Sequence, residues 1–130
     1  MKSFNILILE DDLKTLSIIM SVLAQIEEEL KYNFMVTVYS IYKDVEEIVN
    51  RGDSKRYDII LLDRDCKLGG SFHILDIEKF EPKKIIAISA VSNYNEEALA
   101  RGARCAITKD HDNLQLFAIQ LSALVRAILV

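Results

Sequence analysis

Short, uninterrupted runs of Ile and Leu recur along this chain, each followed by a segment in which apolar residues repeat every three or four positions. The runs are Ile6-Leu9, Ile59-Leu62 and Ile85-Ile88, with Cys105-Ile107 as a shorter apolar companion. A run without polar alternation suits a strand covered on both faces, as in a parallel sheet between helices. Phe34-Tyr39 alternates instead and is rich in β-formers, so it reads as a more exposed strand. Between the strands, Leu13, Leu16, Ile19, Met20, Leu23, Ile26 and Leu30 trace one long amphipathic helix. Val45, Ile48 and Val49 mark a shorter helix closed by Gly52, and Phe72-Phe80 is read as a short third one. Asn93 followed by Glu96 resembles a capping box, opening a helix that ends at Gly102. The last helix begins near Asp112, with Leu114, Phe117, Ala118, Leu121, Leu124, Val125 and Ile128 on one face. This alternation predicts an α/β fold, a doubly wound five-stranded parallel sheet with helices on both faces, spanning 1–130 as one domain.

Composition narrows the function. A length of 130 residues supports one core, and half of the residues are apolar. A net charge of −4, with Lys and Arg scattered, argues against direct nucleic-acid binding through a basic surface. Cys66 and Cys105 suggest neither a disulfide framework nor a zinc site. The apolar run before Glu10 is too short for a signal peptide or a membrane span, so a cytoplasmic protein without membrane contact is expected.

In open α/β sheets, sites form at the carboxyl ends of the strands near the switch in strand order. Here the first strand ends in Glu10-Asp11-Asp12, the third in Asp63-Arg64-Asp65, the fourth in Ser89-Ala90 and the fifth in Thr108-Lys109. Asp12 reads as a helix N-cap. Three carboxylates gathered from Glu10, Asp11 and Asp63 repel one another unless a cation sits among them, and hard oxygen ligands suit Mg2+. An ammonium and a hydroxyl opposite them suit phosphoryl oxygens, which points to phosphoryl chemistry.

In "ILILEDD", "YDIILLDRD", "IIAISA" and "AITKD" the chain resembles the receiver domains of bacterial two-component response regulators, over nearly its whole length. The resemblance implies a flavodoxin-like (βα)5 sheet of order 2-1-3-4-5. It implies that Asp63 accepts a phosphoryl group from a histidine kinase or phosphotransfer protein, and that the chain is a phosphoacceptor, not a turnover enzyme. Glu10, Asp11 and Asp63, with the backbone carbonyl of Asp65, would then hold Mg2+; Lys109 would pair with the phosphoryl oxygens, and the Ser89 hydroxyl would swing toward them. That swing biases an equilibrium toward an active surface, here by a shift of Ala90-Asn95.

The chain departs from that pattern at Lys67 and Asp110, where prolines are usual, and at Ala106, where an aromatic is usual. The stretch from Asp63 to Ser89 is also short, which trims the third helix. These changes fit a second reading, a pseudo-receiver that binds partners without phosphate. A third reading takes Asp63 and Asp65 in "LLDRDCKL" as the Asp-x-Asp loop of a haloacid-dehalogenase-type phosphatase, with "KDHDN" as its distal acidic motif. That reading leaves Glu10 and Asp11 unexplained. Cys66 and His73 read as an ordinary thiol and a surface histidine, whereas His111 stands nearest the candidate site in sequence.

The last helix carries a second stripe, Leu116, Ile119, Ala123, Ala127 and Val130. Arg126 is the only charged side chain from Asn113 to Val130. An apolar outer face marks either packing under a neighbouring loop or a contact surface for a homodimer or partner protein through 113–130.

Overall fold

The strands lie side by side because every apolar run has the same direction and must be covered above and below. The computed structural model describes residues 1–63 and 81–129. Its elements are β1 (Ser3–Leu9), α1 (Leu13–Leu30), β2 (Asn33–Tyr39), α2 (Tyr42–Asn50), β3 (Ile59–Leu62), β4 (Ile85–Ala87), α3 (Ser92–Ala100), β5 (Cys105–Ala106) and α4 (Leu114–Leu129). The sheet has five strands in the order β2-β1-β3-β4-β5, all pairs parallel. This is the predicted class and order. The expected helix at Phe72-Phe80 lies outside the described residues, as do Arg64, Asp65, Cys66, Lys67 and His73.

Alternating side chains of the buried strands feed two separate cores. Ile6, Ile8, Ile59, Leu61, Ile86 and Ile88 point to the face covered by α1 and α4. Leu7, Leu9, Ile60, Leu62, Ile85 and Ala87 point to the other face, where Val45 and Ile48 of α2, Tyr57, and Ala98 of α3 cover them. Among the described residues β2 pairs with β1 alone and is only half-buried, matching its alternating sequence.

Two details differ from the sequence reading. The buried stripe of α1 runs through Thr15, Ile19, Val22, Leu23 and Ile26, while Leu13, Met20 and Leu30 are exposed. The helix rests on the sheet along its middle, so apolar residues at its ends and flank overhang the contact. The capping box is also absent. Val91 is the N-cap of α3, with no side-chain capping bond, and Asn93 already lies in the helix. Among the described residues no helix is long and apolar enough to cross a membrane.

Gly102, which ends α3, has φ +101°, and a Cβ there would come within 3.2 Å of Pro82 Cβ. Pro82 opens the short 3-10 turn leading into β4, so the entries to β4 and β5 touch at this glycine. Gly102→Ala is expected to lose about 1–2 kcal/mol from the left-handed backbone and the tight contact. Urea unfolding of the two proteins measures this difference.

Candidate functional site

The register of the strands brings the polar ends together. Leu9 lies opposite Leu62 in the β1–β3 pair. Ladder bonds continue beyond the strands: the N–H of Asp63 donates to the carbonyl of Leu9 at 3.0 Å, and that of Lys109 to the carbonyl of Ser89 at 3.1 Å. Glu10, Asp63, Ser89 and Lys109 therefore emerge at one level, at the point where the strand order reverses.

The centre is a buried charge cluster. Lys109 Nζ donates to Glu10 Oε1 at 2.6 Å and to Asp63 Oδ2 at 3.0 Å. Glu10, Asp63 and Lys109 are 1%, 3% and 5% exposed. Glu10 Oε2 accepts the backbone N–H groups of Asp11 at 3.0 Å and Asp12 at 3.1 Å. These amides lead into α1, where an anion is favoured by the exposed N–H groups and the helix dipole. Burial works to lower the pKa of Lys109, but the charges of Asp63 and Glu10 and their hydrogen bonds outweigh it, leaving the value raised above 10.5. The contribution of this ammonium to stability is therefore complete below pH 10.5 and is lost as the pH rises through the raised value.

Asp11 is half-buried beside the cluster, and one carboxylate oxygen each from Glu10, Asp11 and Asp63 lies within 4.8 Å of the others. Two of these groups already share one ammonium, and the third adds a further negative charge. Such an all-oxygen set fits a small hard divalent cation. The backbone carbonyl of Asp65 falls outside the described residues.

An open cleft of about 250 Å³ lies above the cluster, lined by Glu10, Asp11, Asp12, Asp63, Ser89, Ala90, Val91, Lys109 and His111. Asp12 serves as the N-cap of α1, accepting from Thr15 N at 3.0 Å and from the Thr15 hydroxyl. The Thr15 hydroxyl bond holds the Asp12 carboxyl below its ordinary range against the opposing effect of burial. His111 Nδ1 lies 4.0 Å from Asp12 Oδ2, so the histidine adjacent to the lysine loop does reach the cleft. The Ser89 hydroxyl accepts from the N–H of Val91 at 3.1 Å.

The sequence reading missed Asn95. Its carboxamide is buried between the ends of β4 and β5 and bonds Ser89, Ile107 and Thr108. The available signal was a polar residue three positions before Ala98, on the inward face of α3.

No protein-family model matches the chain, and no curated protein is found similar in sequence. Solved structures do match. The phosphorylated cyanobacterial phytochrome response regulator RcpA is 15% identical, with a TM-score of 0.72 over 94% of this chain and 91% of that one. The beryllofluoride-activated DrrB receiver domain is 16% identical, with a TM-score of 0.65 over 99% and 98%. CheY in the CheX complex with beryllofluoride and Mg2+ from Borrelia burgdorferi is 23% identical, with a TM-score of 0.62 over 93% and 89%. The fold is that of response-regulator receiver domains.

Removing the ammonium strands two buried carboxylates. Lys109→Met is expected to cost about 3–5 kcal/mol at neutral pH without divalent ions. Chemical denaturation of both proteins at neutral pH measures the loss.

Proposed function

We propose that the chain is a phosphoacceptor receiver in a two-component phosphorelay, taking its phosphoryl group onto Asp63 from a histidine kinase or phosphotransfer protein. The observation that carries this reading is the buried Lys109 ammonium bridging Glu10 and Asp63, with Asp11 beside them and Ser89 lining the same cleft. A carboxylate oxygen of Asp63 attacks phosphorus. The O–P bond forms as the N–P bond of the donor phosphohistidine breaks, and the electron pair leaves with the imidazole nitrogen, which takes up a proton. Lys109 stays beside the acceptor and pairs with the phosphoryl oxygens, and the Ser89 hydroxyl turns from Val91 to a further oxygen.

Glu10, Asp11 and Asp63, with the carbonyl of Asp65, are the proposed Mg2+ ligands. The ion supplies positive charge that reduces repulsion between the acceptor and the incoming phosphoryl group. The chain is a phosphoacceptor, not an enzyme acting on a free substrate, and its place is the cytoplasm. The phosphate-independent reading is favoured by Ala106, which leaves β5 without an aromatic ring for a switch. Labelling separates the two readings.

The proposed association surface is the outer face of α4. Leu116 is 48% and Ile119 61% exposed, with Ala123 and Ala127 also exposed on the same helix. Arg126 is engaged with Glu29 of α1 at 2.7 Å, which leaves this outer face without a free charge, its one polar member being the exposed Gln120. A second copy or a partner protein would cover it.

Incubation with acetyl phosphate and Mg2+, followed by intact mass measurement, is expected to add one phosphoryl group. Asp63→Asn abolishes the addition, and Asp11→Asn mainly weakens metal binding. Labelling of Asp63→Asn, or labelling in EDTA, would remove the assignment. For the surface, sedimentation of the wild type and Ile119→Glu, each with and without beryllofluoride, is expected to show self-association in the wild type only. A wild type that remains monomeric at high concentration in both states excludes the homodimer.

A further inference from the structure

The Asn95 carboxamide makes more side-chain bonds than any one strand end requires. Its Oδ1 accepts the N–H of Ser89 at 3.1 Å. Its Nδ2 donates to the carbonyl of Ser89 at 3.0 Å, the carbonyl of Ile107 at 3.1 Å and the Thr108 hydroxyl at 3.1 Å. An amide has two N–H donors, so three acceptors share them. Asn95 is 4% exposed. A carboxylate of the same shape would accept from Ser89 N–H but would face two carbonyl oxygens with nothing to donate.

We propose that Asn95 is a positioning residue for the phosphoacceptor site. It fixes the main chain of Ser89 against the end of β5, so that the Ser89 hydroxyl and the Lys109 ammonium keep a set spacing across the cleft. The proposal rests on the receiver reading and adds a residue to it. Both peptide groups flanking Ser89 are held, and its carbonyl also receives the N–H of Lys109. The bonds to Ile107 and Thr108 fix the two residues that precede Lys109. Only the hydroxyl of Ser89 lies outside this clamp, accepting from the N–H of Val91.

The clamp also limits what can move. When the hydroxyl turns toward a phosphoryl group, the N–H of Val91 loses its acceptor. Val91 is the N-cap of α3, and its apolar side chain makes no capping bond. The responding backbone is therefore Ala90 to Tyr94, bounded by two residues that remain bonded to each other. This narrows the movement expected from sequence, which extended through Asn95.

A role in folding alone would let Asn95 act independently of Ser89, and a double-mutant cycle distinguishes the two. The wild type, Asn95→Ala, Ser89→Ala and the double variant are titrated with beryllofluoride in saturating Mg2+, and Mg2+ affinity is measured separately. Each single variant is expected to bind beryllofluoride about tenfold more weakly, as for loss of one well-placed hydrogen bond. The double variant should be no weaker than Ser89→Ala, and Mg2+ affinity should stay unchanged throughout. Losses that multiply in the double variant, or Mg2+ affinity that falls in parallel, overturn the proposal. If Asn95→Ala does not fold, Thr108→Val removes one acceptor and should give a smaller, equally non-additive loss. A wild type that neither binds beryllofluoride nor is labelled by acetyl phosphate overturns the receiver reading itself. A competent wild type with an additive cycle overturns only the role of Asn95.

Discussion

One ammonium held between two carboxylates, all three out of water, is the interaction around which this end of the molecule is arranged. Each charge alone would be costly to bury; together they are tolerated because, among the described residues, no buried side-chain nitrogen or oxygen is left without a hydrogen-bond partner. Lys109 meets Glu10 and Asp63, and Glu10 turns its second oxygen to the amides that open α1. The register of three strands and the start of one helix must all be correct for those distances to hold. Well-packed apolar residues replacing a buried ion pair are often at least as stable. Retaining charge there makes sense as chemistry: the carboxylates of Glu10, Asp11 and Asp63 offer an all-oxygen set beside an open cleft.

The fold was legible because both-face burial leaves a strong mark. Ile6-Leu9, Ile59-Leu62 and Ile85-Ile88 have no polar residue to expose, and only a covered parallel sheet accommodates that. The candidate site was legible for a related reason. Charged residues directly after such runs have nowhere to go but the strand ends, and a parallel sheet puts all those ends on one side. What escaped the sequence depended on contacts between elements. Asn93 and Glu96 have capping-box spacing, yet the chain enters α3 two residues earlier, because Asn95 must reach β5. Leu13 and Met20 fit the helical period of α1 but overhang its contact with the sheet. Periodicity marks a face; where that face ends is set by the neighbour.

Among the described residues the two cores lie on opposite faces of the strands. Because odd and even residues of β1, β3 and β4 serve opposite layers, α1 and α4 pack independently of α2 and α3. Arg126 reinforces the first pair by reaching Glu29 from the last turn of α4. The layers are coupled at the strand ends, where Ser89, Asn95 and Thr108 are bonded together. The cleft is thus joined to α3 by hydrogen bonds and to α4 by chain continuity through Lys109.

The rim of the sheet has a cost of its own. β2 pairs with β1 along its whole length, Asn33 to Tyr39, and among the described residues no strand lies beyond it. Its sequence, NFMVTVY, holds no charge, proline or glycine, and Met35 and Val38 are exposed. These are the features that let an open edge template a foreign strand, and the usual deterrents of an edge lysine, a proline or a bulge are missing. The outer edge of β2, at the opposite side of the sheet from β5, therefore meets the physical conditions for pairing with a strand of another molecule.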